Sequence, residues 1–325
     1  MLRELRGAVT ALALVACGVL AAVSFDLGVP GQSLLQSLRF HIAAGLLGLV
    51  VLLILGGAWR RGLLFLLVFG ISAAQGAAIV YRQQEARIAA HGPASKALLK
   101  LLSFNLLSEN RNGEKIADFV VGSGADVVLL MEAAPVASYR DKLLAAYPYF
   151  AGCDVHSDCG TVILSRTPLE DVVVGALSPV WRNRLITATT VIGGERINLV
   201  AAHMVKPYFD DFPAEEAYTL AEAIGRLKGP LLLAGDFNAA AWSDTIDWLA
   251  LRENLAPGPA YPATWPIRLG PLGVPIDNIF TRAPLVVEHV EALSDAMGSN
   301  HRGLIAGVSI GTGGPVSLES DPAPQ

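Results

Sequence analysis

Residues 230–238 read PLLLAGDFN, and this stretch carries the strongest structural signal in the chain. The aliphatic and small residues that precede Asp236 are typical of a strand buried within a sheet. Asp236 and Asn238 stand two positions apart, so in an extended chain both side chains lie on the same side. The stretch therefore predicts a buried strand that ends in a pair of polar side chains.

The same pattern occurs elsewhere, with patterns typical of helices between the strands. One Asp, Asn or His at a strand end is more often a turn former than a functional residue, but a repeated pattern predicts a site along one rim. Many strands and few helices favour an α/β (α+β) sandwich in which helices cover stacked sheets. The polar strand ends lie in LLKLLSFN at Asn105, DVVLLME at Glu132, RINLVAAH at His203, PIDNIF at Asp277, and GSNHRG at Asn300 and His301.

This mixture of side chains suits hydrolysis at phosphorus. Carboxylate and amide oxygens without a thiolate favour Mg²⁺ or Mn²⁺, which neutralises phosphate charge in the transition state. Histidine can exchange protons near neutral pH or contact a phosphoryl oxygen. These residue types therefore favour a phosphoric ester hydrolase that depends on a divalent metal.

The ordered motifs SFN, LLME, AAH, GDFN, PIDNIF and GSNHRG resemble those of the endonuclease/exonuclease/phosphatase superfamily. That superfamily includes DNase I, abasic-site endonucleases, neutral sphingomyelinases and inositol-polyphosphate 5-phosphatases. The resemblance covers about residues 98–311, and ATWP at 263–266 is similar to its membrane-anchored bacterial members. It implies a four-layer, DNase I-like α/β sandwich with the site at one end of two packed sheets.

The resemblance also implies a role for each motif residue. Glu132 would be the principal metal ligand, and Asn105 would lie beside the metal and the phosphate. Asp236 would transfer a proton during attack or departure, and Asn238 would position the attacking water or the phosphate. Asp277 would hold His301, which would contact the phosphoryl group or activate water. His203 would match the second histidine of the DNase and sphingomyelinase branches, and one in-line attack by water would complete the reaction.

One position departs from the superfamily pattern. Asn300 stands between Ser299 and His301 where the family usually has an aspartate, so an amide replaces a carboxylate near the metal and the histidine. Weaker metal binding or slower turnover would follow from the missing negative charge. A catalytically impaired domain that only binds a phosphorylated ligand therefore remains an alternative.

The N-terminal third differs in composition from the rest of the chain. Of all residues 53% are hydrophobic and 16% charged, which is too apolar for an ordinary soluble domain. Three apolar stretches, between Arg6 and Asp26, His41 and Arg60, and Arg61 and Arg82, each approach the roughly 20 residues that span a bilayer. The sequence thus predicts a membrane anchor of three transmembrane helices at 1–83, a linker at 84–97, the α/β domain at 98–312 and a disordered tail at 313–325.

The orientation follows from the positions of basic residues near the stretches. An N-terminus in the cytoplasm puts Arg3, Arg6, Arg60 and Arg61 on the cytoplasmic side and Arg39, Arg82 and Arg87 on the outer side. The excess of basic residues on the cytoplasmic side favours this orientation by a small margin. The prediction is a multi-pass protein of the bacterial inner membrane with a periplasmic catalytic domain. A signal peptide or a lipoprotein signal around Cys17 is the alternative for the first stretch.

The loop AGCDVHSDCG places Cys153 and Cys159 six residues apart. A disulfide could form there in an oxidising compartment, and two free thiols with a nearby histidine as a metal site are the alternative. A calcineurin-like phosphoesterase is disfavoured because no Gly-Asn-His-Asp/Glu motif follows the GD motif.

Three hypotheses of substrate follow. The first is a membrane-tethered phosphoesterase that acts on a lipid headgroup or a small molecule. The second is a periplasmic nuclease. The third is the catalytically impaired domain described above, which only binds a phosphorylated ligand. Residues 98–312 carry a net charge of −8, which disfavours nucleic acid because its phosphates attract basic surfaces. Arg182 and Arg184 form either a local phosphate clamp or a solvated basic loop, and no obligate protein partner is implied.

Overall fold

The computed structural model describes residues 2–25, 27, 31–152, 160–208 and 212–314. Cys153 and Cys159, and most of the predicted tail, lie outside these residues. The described chain begins with a group of helices and continues into two β-sheets that pack face to face. The helical part and the sandwich are also in direct contact.

The helical part has four helices within the described residues. The apolar residues of α1, α3 and α4 pack against one another, with Leu20, Leu46 and Phe65 at the centre. A turn at Gly56 and Gly57 reverses the chain between α3 and α4, and Gly57 there adopts a φ of 80°. The bounds are α1 Leu2–Ser24, α2 Gln32–Ser37, α3 Arg39–Leu55 and α4 Trp59–His91.

The prediction that all three apolar stretches form helices of membrane-spanning length is wrong. Among the described residues, α1 and α4 are long and apolar enough to cross a bilayer, whereas α3 has 17 residues. At a rise of 1.5 Å per residue α3 is about 26 Å long, less than a hydrocarbon layer of ~30 Å. The physical reason is the glycine pair, which ends α3 at Leu55 although the apolar sequence continues.

Both long helices expose most of their apolar surface. Only 22% of the apolar stretch of α1 and 17% of that of α4 is buried. Leu12 and Val15 of α1 and Leu64 and Leu67 of α4 are examples of large side chains that face outward. These helices are therefore not enclosed like the core helices of a globular domain.

The first sheet has six strands in the order β11-β12-β1-β2-β4-β3. Strands β1 and β2 are parallel, and β12 runs antiparallel to β1. The bounds are β1 Ser95–Asn105, β2 Val127–Met131, β3 Tyr149–Gly152, β4 Thr161–Ser165, β11 Leu285–Ala292 and β12 Leu304–Gly311.

The second sheet also has six strands, in the order β5-β6-β7-β8-β10-β9. Strands β7 and β8 are parallel, and β10 is antiparallel to β8 with Asp277 opposite Asp236. The bounds are β5 Glu170–Gly175, β6 Leu185–Ile192, β7 Glu195–His203, β8 Leu231–Asp236, β9 Leu255–Pro257 and β10 Asp277–Arg282.

Aliphatic side chains such as Leu101, Leu129, Leu199 and Leu232 fill the space between the sheets. Helices cover both outer faces, which gives the layered α/β sandwich that the sequence predicts. These are α5 Gly113–Gly122 and α6 Arg140–Ala146 on the first sheet, and α7 Phe212–Arg226 and α8 Asp244–Arg252 on the second.

Gly235, next to Asp236, provides a test of this packing. An added Cβ at Gly235 would lie 1.8 Å from the carbonyl oxygen of Ala202 on the neighbouring strand β7, and backbone cannot move aside cheaply. We expect Gly235→Ala to cost about 3 kcal/mol and to lower the Tm of the purified chain by roughly 10 °C.

Gly175→Ala is the matched control, because nothing lies within 4 Å of a Cβ at the end of β5. Its Tm should stay within about 2 °C of the parent value. Equal Tm values for the two variants would contradict the close approach of β7 and β8.

Candidate active site

Asn105 joins the two sheets at the end where their strands stop. It is the last residue of β1, and its Nδ2 donates a 2.8 Å hydrogen bond to Oδ2 of Asp236, the last residue of β8. The same nitrogen lies 3.3 Å from Oε1 of Glu132, which follows β2. One amide thus contacts carboxylates from both sheets.

Glu132 leaves its strand with a φ of 51°, an uncommon conformation for a residue with a side chain. The turn brings its Oε2 within 2.7 Å of the backbone N–H of Ser108, which donates to it. The Glu132 side chain is 23% exposed. It is therefore held in place and still accessible from outside.

His301 and Asp277 form a buried pair next to these groups. Nδ1 of His301 lies 2.8 Å from Oδ2 of Asp277, and Nε2 of His301 lies 3.7 Å from Oδ2 of Asp236. Ser299 fixes the loop, because its hydroxyl donates to the carbonyl of Asn105 and accepts from the N–H of His301. The imidazole therefore presents Nε2 toward Asp236.

His203 ends β7 and is buried beside the same carboxylates. Its Nε2 lies 3.6 Å from Oδ2 of Asp236 and 3.9 Å from Oε1 of Glu132, and its Nδ1 has no hydrogen-bond partner among the described residues. Burial, with the positive charges of Arg184 and His301, holds the pKa of His203 well below its ordinary value. This ring is neutral at physiological pH.

The pKa values of Asp236 and His301 are both raised, for different reasons. Burial raises the pKa of Asp236 to about 6, and the charge of Asp277 adds to the effect while that of His301 opposes it. Burial lowers the pKa of His301, but the charges of Asp277 and Asp236 outweigh it and raise the pKa to about 9. At neutral pH the pair is a carboxylate and an imidazolium.

Asn238 and Asn300 differ in their surroundings. The backbone N–H of Asn238 donates to Oδ1 of Asp236, and its side-chain nitrogen donates to the carbonyl of Met204. The amide oxygen of Asn238 is therefore the atom left to meet a ligand. Asn300 is exposed on the loop between Ser299 and His301.

The structure thus brings the following predicted residues to one end of the sandwich, with Asn300 at its edge: Asn105, Glu132, His203, Asp236, Asn238, Asp277 and His301. Their chemical roles remain predictions.

These groups fit a hard divalent cation. The carboxylates of Asp236 and Asp277 lie within 4.8 Å of each other and of the His301 ring. Oδ1 of Asp277 is buried without a hydrogen-bond partner in the described part of the chain. Carboxylate and amide oxygens without a thiolate are the donors that Mg²⁺ and Mn²⁺ prefer, and a cation would offset the buried negative charge.

Arg184 is a basic residue that the structure places beside these groups. It precedes β6, and its guanidinium lies where the charges of Glu132, Glu216 and Asp236 act on it. Burial lowers its pKa, and the guanidinium stacks 4.7 Å from the centre of the Trp181 ring. Arg182 is exposed, so Arg184 is the better candidate for a phosphate contact.

Two supporting residues were not identified from the sequence. Glu216 on α7 is fully buried and accepts hydrogen bonds from Ser178 and from the backbone N–H of Val205, two residues after His203. The hydroxyl of Thr264 accepts from the backbone N–H of Asp277. The signal for Glu216 was its place four residues before Leu220 on an apolar helix face, while Thr264 belongs to the ATWP motif.

The model of the Endonuclease/Exonuclease/phosphatase family matches residues 102–301 of this chain. The match begins within β1 and ends at His301, so it spans all the strand ends described above. No curated protein matches the sequence.

Solved structures resemble the sandwich at low sequence identity. The endonuclease/exonuclease/phosphatase from Beutenbergia cavernae DSM 12333 is 19% identical to this chain and superposes with a TM-score of 0.55. The alignment covers 66% of this chain and 72% of that protein. D. rerio TDP2 complexed with single strand DNA product is 17% identical with a TM-score of 0.54, covering 66% and 99%. The protein of the same description from Bacteroides vulgatus is 15% identical with a TM-score of 0.54, covering 66% and 100%. These likenesses show the fold alone.

The His301–Asp277 pair leads to a prediction about proton affinity. Asp277→Asn removes the charge that opposes burial, so the pKa of His301 should fall from about 9 by roughly 2 units. Histidine NMR titration of the chain in EDTA measures this value.

The control is Asp171→Asn, which neutralises an exposed carboxylate on β5 that pairs with Arg196. It should leave the titration of His301 unchanged. An unchanged titration in Asp277→Asn as well would contradict the proposed coupling.

Proposed function

Because the chain belongs to the endonuclease/exonuclease/phosphatase family, we propose that it hydrolyses phosphoric esters by in-line attack of water. The observation that carries the proposal is the hydrogen bond from Asn105 to Asp236, with Glu132 and the His301–Asp277 pair around it. Carboxylates, an imidazolium and an amide lie together at one end of the sandwich. This set can bind a phosphate, move a proton and hold a metal.

Glu132, with Asn105 and Asn300 beside it, would hold Mg²⁺ or Mn²⁺. The metal supplies charge neutralisation of the phosphoryl oxygens and lowers the barrier to attack. Glu132 suits this role because its carboxylate is both fixed by Ser108 and partly exposed.

The remaining residues bind the ester and transfer protons. Asp236, ionised at neutral pH, accepts the proton of the attacking water and returns it to the leaving oxygen. The amide oxygen of Asn238 orients that water. His301, protonated and held by Asp277, contacts a phosphoryl oxygen, and neutral His203 supports the same group from the other side.

We further propose that α1 and α4 anchor the chain in the bacterial inner membrane. Support comes from their length and from the apolar surface that they leave exposed. Arg3, Arg6, Arg60 and Arg61 line one cleft at the same end of the helices, as expected for a cytoplasmic end, and the shorter helix α3 returns the chain to that end between α1 and α4. The sandwich contacts the opposite end, which would lie outside the cytoplasm.

A nuclease is the second candidate. D. rerio TDP2, which has the same fold, is found complexed with single strand DNA product. The net charge of −8 over residues 98–312 disfavours this function, because nucleic-acid binding draws on a basic surface.

The activity is tested on the full chain with Mg²⁺ or Mn²⁺ against plasmid DNA, phospholipid and bis(p-nitrophenyl) phosphate. At least one ester should be hydrolysed, EDTA should stop the reaction, and Glu132→Ala or His301→Ala should lower the rate by about 10²-fold or more.

Glu170→Ala removes an exposed carboxylate of β5 and should retain the parent rate. Rates of Glu132→Ala and His301→Ala that match this control, or a failure to hydrolyse any ester with ligand binding intact, would contradict the proposal. Cleavage of plasmid DNA alone would favour the nuclease.

Asn300 allows a test in which a substitution should strengthen metal binding. Asn300→Asp adds a carboxylate at the edge of the site, so the Mg²⁺ concentration for half-maximal activity should fall by about tenfold. Asn254→Asp, at an exposed position after α8, should leave this concentration unchanged. A rise, or no change in Asn300→Asp, would exclude a metal near this loop.

A further inference from the structure

The path of the chain fixes which end of the sandwich lies near the membrane helices. Helix α4 extends to His91, and β1 begins four residues later at Ser95 and runs back in the opposite sense. The N–H of Thr312, just after β12, donates to the carbonyl of His91, and Ser95 pairs with Gly311. The start of β1 and the end of β12 therefore lie at the far end of α4.

The active site lies at the other end of the same two strands. Asn105 ends β1, and His301 precedes β12. Ile79 and Val80, twelve and eleven residues before His91 on α4, pack against a buried cluster that contains Ile276, the residue before Asp277. The site end is thus next to the part of α4 that still belongs to its apolar stretch.

Contacts from α2 and α3 agree with this placement. The Ser37 hydroxyl accepts from the N–H of Ala240, and the indole of Trp242 donates to the carbonyl of Gln36. The ring of Phe40 lies 4.9 Å from that of Trp242. The loop that these residues contact begins directly after Asn238.

The segment Ile267–Leu272 lies beside the start of helix α3. Nε2 of His41, in the first turn of α3, is 2.9 Å from the carbonyl oxygen of Leu272. The segment exposes 49% of Leu269 and 70% of Leu272, with exposed Arg268 beside them. Apolar side chains interleaved with a basic residue are typical of segments that contact a lipid surface.

Other loops at this end have the same character. Tyr208 follows β7 and is 57% exposed, and Trp181 precedes β6 and is 45% exposed. Lys206 and Arg182 in these loops are also exposed. The rim of the site is therefore basic and apolar, although the domain as a whole is acidic.

We propose that the site end of the sandwich faces the membrane surface, with the segment Ile267–Leu272 in contact with the lipid leaflet, and that the substrate is the phosphate ester of a lipid headgroup in that leaflet. The inference rests on the phosphoesterase activity and the membrane anchoring proposed above. In the reaction, the oxygen of water bonds to phosphorus, one P–O ester bond breaks, and a proton of the water passes to the leaving oxygen.

The orientation is tested without reference to activity. A photoreactive p-benzoylphenylalanine replaces Leu272 in the full chain, which is placed in vesicles of phosphatidylglycerol, phosphatidylethanolamine and cardiolipin. Irradiation should give a covalent lipid adduct by mass spectrometry. The same replacement of Val191, an exposed residue at the opposite end of β6, is the control and should give none. Adducts at neither position, or equally at both, would overturn the orientation.

The substrate is tested in the same vesicles. The parent chain should release a phosphorylated headgroup or a lipid phosphate, detected by mass spectrometry. Combining Leu269→Ser with Leu272→Ser should slow this release by about tenfold, because the apolar contact with the leaflet is lost. Hydrolysis of soluble bis(p-nitrophenyl) phosphate should not change, and Val191→Ser should change neither rate.

The outcomes separate the two proposals. Hydrolysis of the soluble ester without hydrolysis of vesicle lipid would overturn the lipid substrate and leave the phosphoesterase standing. If the double variant hydrolysed vesicle lipid and the soluble ester equally slowly, Leu269 and Leu272 would be needed for the structure of the site itself. That result would overturn the leaflet contact. Failure on every ester would refute the phosphoesterase, while the cross-linking result would still decide the orientation.

Discussion

The contact between Asn105 and Asp236 is the constraint on which the site depends. Asn105 ends a strand of one sheet and Asp236 ends a strand of the other, so their 2.8 Å hydrogen bond requires both sheets to be packed in one register. The aliphatic layer between the sheets supplies this packing. Burial then raises the pKa of Asp236, and the charges of Asp277 and Asp236 raise the pKa of His301 against its own burial, which holds His301 as a cation. The chemistry of the site is therefore a consequence of how the two sheets are joined.

The strand ends were predictable because each is marked locally. In PLLLAGDFN the change from aliphatic to polar residues shows both where β8 stops and which side chains follow it. Parallel β7 and β8 then place His203 next to Asp236. Arg184 and Glu216 were harder to assign because their roles depend on distant parts of the chain. Glu216 acts on Val205 and Ser178 through tertiary contacts, for which the sequence of α7 holds only a weak signal.

In the helical part, hydropathy alone predicts neither where each helix ends nor how the helices contact the sandwich. Apolar composition identified the right region, but it could not show that Gly56 and Gly57 end α3 after 17 residues. Nor could it show how the helices meet the sandwich. Gln83 of α4 donates to the carbonyl of Ala241 and to Asp247, and Arg82 pairs with Asp247. These polar residues end an apolar stretch, and they also bind the loop after Asn238 and helix α8.

The most direct measurement of the central claim is a crystal structure of the full chain grown with Mn²⁺, in which anomalous scattering locates the ion. We expect a peak at the site end of the sandwich, within about 2.3 Å of a carboxylate oxygen of Glu132 and beside Asn105. A strong peak elsewhere, with none near Glu132, would contradict a metal site built by the two sheets. So would an electron-density map in which Asn105 and Asp236 lie apart.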